Sequence, residues 1–341
     1  MKLSIIVPVY NMAGDDKLKY CIDSLVAQTL SDYEIIAVND ASTDDSLSIL
    51  NEYALKYPSV IKVLSLTENH KQGGAKNKGL DICKGDYIGF VDADDWVTPD
   101  MYKRLTEAAD KSGADVAVCN LTMTSEHSMK INEVINGINP EAVGDIDDDK
   151  FRKLINNSGY MVVKIFARHI FEEPKLRFPE HMFYEDNAIG MEVLHRAKKI
   201  EYVNETMYFY YQHSGSTVHT LNRQMCEYRM EAMRIGMKYA IEGGYLDKFK
   251  KEIEYKFINL FYQNTLFSYM QGRQKHEMSF IRKMGKEMKN TFPDFEKNEI
   301  YLQNVNAEEK KLMHMQQKST LLFVVYYKIL WFYRRKIRHI K

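Results

Sequence analysis

Short, continuous apolar runs alternate with stretches of helical spacing over the first 120 residues. Mostly apolar runs at 3–9, 34–38, 60–66, 87–91 and 116–119 predict strands, the first of them buried. Between them, residues 17–30, 44–57, 74–83 and 99–112 repeat apolar positions every three or four residues and predict amphipathic helices. Ser42 or Thr43 offers a cap for the second helix, and Pro99 falls early in the first turn of the fourth. Such alternation predicts an α/β fold on a mostly parallel sheet. Ligands of these sheets bind where strand carboxyl ends meet the loops.

The pattern then changes. Residues 121–150 are more polar and end in Asp145, Asp147, Asp148 and Asp149. They predict an edge insertion or hairpin whose acidic run opens the next helix; the spacing is not that of a calcium loop. Residues 151–211 mix helix and strand. After about 216 the chain becomes helical, with Met and aromatic residues at helical spacing through 290, a pattern that predicts packing rather than a cofactor box.

Composition narrows the class. The 341 residues carry 47 Lys+Arg and 47 Asp+Glu, which excludes a basic nucleic-acid coat. An apolar fraction of 45% with few Gly and Pro excludes a mainly disordered chain. The neutral total conceals a split. Residues 310–341 hold nine Lys/Arg and no acid, leaving 38 basic and 47 acidic residues elsewhere, a net of −9. The four cysteines form no CxxC pair and match no zinc spacing, so they predict buried, reduced thiols in a cytosolic chain. The apolar run at 3–9 contains Pro8 and leads into Asn11 and Asp15-Asp16, which suits a strand rather than a signal peptide. No stretch reaches the roughly 18 apolar residues needed to span a bilayer.

Candidate chemistry gathers at the ends of predicted strands. Asp40 follows the second strand, and Asp92, Asp94 and Asp95 follow the fourth. Close carboxylates repel one another, and a hard divalent cation relieves that repulsion, so Asp-x-Asp here suits a Mg²⁺ or Mn²⁺ site shared with phosphate; a surface acidic turn is the alternative. No GxGxxG follows the first strand and no GxxxxGK[ST] occurs, which argues against a nicotinamide dehydrogenase and a P-loop NTPase. Gly73-Gly74 precedes Lys76 and Asn77, where a cation and an amide could meet a diphosphate or merely face solvent.

Five segments stand in a telling order: Ser4-Ile-Ile-Val-Pro-Val-Tyr-Asn11, Ile36-Ala-Val-Asn-Asp-Ala-Ser-Thr-Asp44, Gly73-Gly-Ala-Lys-Asn-Lys-Gly79, Gly85-Asp-Tyr-Ile-Gly-Phe-Val-Asp-Ala-Asp-Asp-Trp96 and Tyr184-Glu-Asp-Asn187. Through them, residues 3–215 resemble a glycosyltransferase family 2 domain of the GT-A fold (Rossmann-like, mostly parallel), of the kind that builds bacterial surface polysaccharide. The resemblance implies a domain at 1–215; the chain's own pattern adds a helical region at 216–318 and a terminal helix at 319–341. It implies an inverting, metal-dependent transferase that moves a sugar from a nucleotide sugar, UDP-linked by expectation, to a glycan or lipid-linked acceptor. Pro8, Val9 and Tyr10 would line the base pocket, with Asp40 on the uracil and ribose side. Lys76 stands where the family usually has Arg, followed by Asn77, and both would face the donor. Asn39 departs from the more usual Asp.

Asp92 would contact ribose or sugar and join Asp94 on Mn²⁺ or Mg²⁺. Asp95, Trp96 and Lys164 would face the acceptor. Asp186 would be the base and Glu185 its support, with an ordinary acidic helix N-terminus as the alternative. His213 or His219 would reach the metal or the diphosphate.

The tail from 319 to 340 packs Trp, Tyr and Phe beside five cations. That suits an interfacial helix on the anionic inner face of the plasma membrane, making the protein cytoplasmic and peripheral. The protein's own body, or a second copy in a homo-oligomer, would also accommodate the helix. Two rivals stay in view: a non-catalytic nucleotide-sugar-binding scaffold on the same fold, and a polymerising synthase.

Overall fold

The computed structural model describes all residues except 157, 159, 173, 213–220, 273–274 and 338–341, and side chains through Arg334. The chain forms two compact units, Met1–Ser216 and Thr217–Lys341.

The first unit is built on one sheet, ten strands among the described residues. Its elements run β1 (Leu3–Val9), α1 (Lys17–Val26), β2 (Tyr33–Asn39), α2 (Ser46–Lys56), β3 (Ile61–Ser65), α3 (Lys71–Ile82), β4 (Tyr87–Phe90), β5 (Trp96–Val97) and α4 (Met101–Ser112). They continue with β6 (Val116–Thr124), β7 (Val134–Ile135), β8 (Gly144–Asp145), α5 (Asp148–Ile155), β9 (Lys164–Ala167), α6 (His169–Glu172), α7 (Glu185–Arg196) and β10 (Lys199–Tyr211). The strand order is β3-β2-β1-β4-β9-β6-β10-β5. Pairing is parallel from β3 through β4 and again between β6 and β10; β9 enters antiparallel between β4 and β6. Every residue of β1 and β2 is buried, as their unbroken apolar runs require.

The expected elements are present, with shifted edges. The first helix ends at Val26 rather than at 30, because Gln28 turns back to bond the carbonyls of Ser24 and Thr98. Neither Ser42 nor Thr43 caps α2. Asp44 does that work by accepting the N–H groups of Ser46 and Ala13 at 3.0 and 2.9 Å. The third helix begins at Lys71, so Gly73 and Gly74 lie inside it rather than ahead of it. The polar segment supplies the short edge strands β7 and β8, and Asp147 caps α5 through the Lys150 N–H.

Two glycines are dictated by close approach. At Gly85 a Cβ would stand 2.4 Å from the Ser4 nitrogen and 2.6 Å from the Tyr87 oxygen, both backbone atoms. Gly85→Ala is therefore expected to cost about 1–3 kcal/mol of unfolding free energy, read from denaturant titration, with α3 and the site left in place. At Gly73 a Cβ would stand 2.1 Å from the Pro179 carbonyl oxygen, so α3 lies directly on the segment that leads to α7.

The second unit is helical: α8 (Arg223–Glu242), α9 (Lys250–Phe257), a π-helical stretch at Ile258–Asn264, α10 (Thr265–Gln271), α11 (Met278–Thr291), α12 (Glu299–Asn304), α13 (Ala307–Lys318) and α14 (Thr320–Ile337). Its core holds Met230, Met233, Phe257, Phe261, Tyr262, Tyr269, Met284 and Met288, so the Met and aromatic periodicity is packing. All four cysteines are buried and unbridged.

Helix α14 has two apolar faces. Phe323, Val324 and Tyr327 are buried, and Tyr327 stacks on Phe267 with ring centroids 6.2 Å apart. On the other side Leu322, Val325, Ile329 and Phe332 recur at helical spacing and are 48–63% exposed. Arg334, one of the tail's cations, is held by both carboxylate oxygens of Glu308 at 2.6 and 2.8 Å. No helix among the described residues is long and apolar enough to cross a membrane.

Candidate active site

The site lies at the carboxyl ends of β1, β2 and β4. Asp40 follows β2, and its backbone N–H bonds the Val9 carbonyl at 2.8 Å. Its Oδ1 accepts the backbone N–H of His70 at 2.8 Å, which ties it to the start of α3. Burial holds its carboxyl above the usual range. Pro8 and Val9 are buried in β1, while Tyr10, the first residue beyond it, is 44% exposed and leaves its ring available. Asn11 accepts the Thr43 N–H at 2.8 Å and so joins the loops after β1 and β2.

The centre is a buried cation among carboxylates. Lys76, 3% exposed on α3, donates to Glu185 Oε1 at 2.7 Å. Burial alone would lower its pKa; the charges of Glu185, Asp92 and Asp186 outweigh that and keep it protonated. Glu185 and Asp186 open α7, where the helix N-terminus also favours anions. Tyr184 before them adopts the left-handed conformation (φ 65°), which turns the chain sharply into the helix.

Burial, then the neighbouring Glu185 charge, pushes the Asp186 carboxyl up to about 7, with Lys76 opposing. Asp186 Oδ1 accepts the Asn187 N–H at 2.7 Å. Burial also raises Asp92 to about 6; Lys76 opposes, and Asp94 and Glu185 add to the rise. Set against the one ammonium of Lys76, the carboxylates Asp92, Asp94, Glu185 and Asp186 leave a local excess of negative charge. An oxygen-only set with that excess fits a hard divalent cation.

Several sequence expectations are redirected. Asp95 and Trp96 were assigned to the acceptor. Asp95 is buried, and accepts the Tyr208 hydroxyl at 2.5 Å and the Tyr211 N–H at 2.8 Å, so it fastens the Asp92–Trp96 turn to β10. Trp96 is fully buried; its indole N–H bonds the Ser128 carbonyl, and Tyr20 and Phe209 pack against it. It has no open face for a ligand. Lys164 is 1% exposed and donates to the Tyr160 carbonyl, and burial lowers its pKa to about 8. It is a buried neighbour of Asp186, not an acceptor contact. Asn77, expected at the donor, uses its amide on the Phe178 backbone and on Glu180 at 2.9–3.1 Å. Lys76 meets Glu185 before it meets any ligand. His213 and His219 lie outside the described residues.

Tyr208 and Gln72 escaped sequence reasoning. Tyr208 touches both Asp95 and the Asp92 N–H, and Gln72 Nε2 lies 3.4 Å from Asp92 Oδ1. For Tyr208 the only signal was its place in the aromatic run of β10.

Comparison with known proteins agrees with this geometry. Residues 4–173 match the family model described as glycosyl transferase family 2. The poly(ribitol-phosphate) beta-glucosyltransferase of Bacillus spizizenii is 33% identical over 213 residues, 62% of this chain and 32% of that protein. Two other curated relatives are spanned over 62% and 64% of their length, so the chain covers less than two thirds of each. Among solved structures, S. aureus TarS 1-349 in complex with UDP-GlcNAc superposes with a TM-score of 0.72 at 19% identity, over 98% of this chain and 92% of that one. The mannosyltransferase PcManGT from Pyrobaculum calidifontis, in complex with GDP-Man and Mn²⁺, gives 0.51 at 14% identity, over 97% and 87%. At those identities the structures establish the GT-A architecture alone. Through its matched segment, its motif order and this architecture, the chain belongs to glycosyltransferase family 2.

Proposed function

We propose that the protein is an inverting, metal-dependent glycosyltransferase that uses a nucleotide sugar and serves cell-surface polysaccharide synthesis. The observation that carries this reading is Asp186, a carboxyl raised to about 7 beside the Lys76–Glu185 pair and within the electrostatic reach of Asp92. A base poised near the working pH is what proton removal from a sugar hydroxyl needs. Asp186 takes the acceptor O–H proton while that oxygen forms its bond to the anomeric carbon. The bond from that carbon to the donor's phosphate oxygen breaks with its electron pair, and the nucleoside diphosphate leaves from the opposite face.

Asp94 and Asp92 would hold the divalent cation, which when bound offsets charge on the departing diphosphate. Tyr10 and Asp40 would meet the nucleobase. Lys76 holds Glu185 in place through its 2.7 Å bond. The UDP-GlcNAc bound to TarS supports a UDP-sugar donor, and the poly(ribitol-phosphate) beta-glucosyltransferase relative supports a polymeric cell-surface acceptor. The intact carboxylate set favours catalysis over a binding-only scaffold.

A panel of UDP-, GDP- and TDP-sugars tests the donor class. One UDP-sugar with Mn²⁺ should raise Tm by about 5 °C or more at saturating donor, and EDTA should abolish the shift. Silence from every donor would sink the reading. The pH profile is a second test. Protonated Asp186 cannot accept a proton, so log kcat/KM should fall with unit slope as pH drops below about 7 and level off above it. A flat profile from 5 to 8 would remove Asp186 from the base role.

The exposed stripe of α14 supports contact with an anionic membrane surface, and thus a lipid-linked acceptor and a peripheral location at the inner leaflet. Leu322→Asp with Ile329→Asp and Phe332→Asp should abolish co-sedimentation with phosphatidylserine vesicles while leaving Tm unchanged, because all three side chains are exposed. Retained binding would assign that face elsewhere; loss of dimer by light scattering would assign it to a second copy.

A further inference from the structure

A second cluster of metal-ligating side chains lies outside the carboxylate centre. His70, Glu180 and His181 each offer one ligand atom, and these atoms lie within 4.8 Å of one another. Two segments, 110 residues apart in sequence, bring them together: the turn before α3 and the segment before α7. The backbone fixes the pair, since the His181 N–H bonds the His70 carbonyl at 2.9 Å. The two imidazoles are 4.9 Å apart, centre to centre, at 31°.

The ligands are arranged before any ion arrives. His70 Nδ1 and Glu180 Oε2 are 3.1 Å apart, and Glu180's other oxygen accepts from Asn77 at 3.1 Å. Both oxygens of the Glu180 carboxyl are thus held in place by neighbouring side chains. Asn77 acts as the outer partner that orients a ligating carboxylate. Glu68 supplies a further carboxylate 3.5 Å from His70 Nε2. The His70 main chain is itself fixed by Asp40.

We infer that His70, Glu180 and His181 form a binding site for a borderline transition-metal ion of the Zn²⁺ or Co²⁺ type, distinct from the Asp92/Asp94 site. The donor sets separate the two. Imidazole nitrogens with one or two carboxylates suit Zn²⁺, Co²⁺ and Ni²⁺, whereas the all-oxygen set at Asp92 and Asp94 suits Mg²⁺ and Mn²⁺. An ion at the histidine site joins the start of α3 to the segment that carries Glu185 and Asp186. It adds a tie between two segments already in contact, and it does not rest on the transferase reading.

Full-length protein titrated with Co²⁺ in the absence of nucleotide tests this, read by visible d–d absorption. One equivalent should develop the band with micromolar affinity in the wild type and equally in Asp94→Asn. His70→Ala and His181→Ala should each weaken it at least tenfold, and the double variant should lose it. Zn²⁺ should raise the wild-type Tm by a few degrees and leave the double variant's unmoved. Absence of a Co²⁺ band in the wild type, or a band that survives in the double variant, would overturn the proposal. A band lost in Asp94→Asn but kept in the double variant would place the ion at the carboxylate centre and overturn it equally. Both histidines are at the rim, and circular dichroism checks that the alanine variants fold.

Discussion

Asp186→Asn should lower kcat for sugar transfer by about 10³-fold or more while leaving the fold intact. The amide keeps the shape of the carboxylate and can still accept the Asn187 N–H, so the α7 N-terminus has no reason to unwind. What disappears is the proton acceptor, a group worth roughly 10²–10⁴ in rate. Because burial and the Glu185 charge already destabilise the Asp186 anion, a neutral amide there should hold or raise Tm at pH 8. Donor affinity should change little, so the loss falls on kcat rather than on KM for the nucleotide sugar. The decisive measurement pairs steady-state transfer with a thermal melt. Retained transfer would move the base to another group; loss of both transfer and fold would make Asp186 structural.

Lys76→Met should have the largest effect on stability. Methionine matches the stem in volume but leaves the Glu185 carboxylate buried without its 2.7 Å partner and removes the only cation whose charge opposes the shifts of both Asp92 and Asp186. Breaking a buried pair from one side costs about 3–5 kcal/mol, which corresponds to a fall in Tm of roughly 10 °C for a domain of this size. Adding Glu185→Gln should restore most of that loss, since the stranded charge is gone, but should not restore transfer. If the double variant were no more stable than the single one, the pair would not be what holds the crevice together.

The alternation of buried strand and amphipathic helix was readable because the central parallel strands β1 and β2 are buried on both faces. The carboxylates at strand ends were readable for the same reason, since loop acids stand out against such strands. Which acid does what was not. Asp92, Asp94 and Asp95 are near neighbours in sequence, and Tyr208 and Tyr211, more than a hundred residues on, decide that Asp95 is used up inside the fold. Trp96 was placed at the acceptor by the family resemblance, which cannot show that Tyr20 and Phe209 cover it. Gly73 falls just outside the helix predicted at 74–83 yet lies inside α3, where Pro179 leaves no room for a Cβ. The amphipathic tail was visible, but its division into a buried and an exposed face depends on Phe267, which periodicity alone cannot place.

The contact of Gly73 with Pro179 bears on how the crevice can open. That contact, the Asn77 bonds to Phe178 and the Lys76–Glu185 pair fasten the α3 side and the base into a single block. The orientational freedom of the base is therefore surrendered during folding, not at each turnover, and substrate binding need not supply it. On the proposed function, any breathing that admits a sugar nucleotide belongs to parts of the rim outside this block.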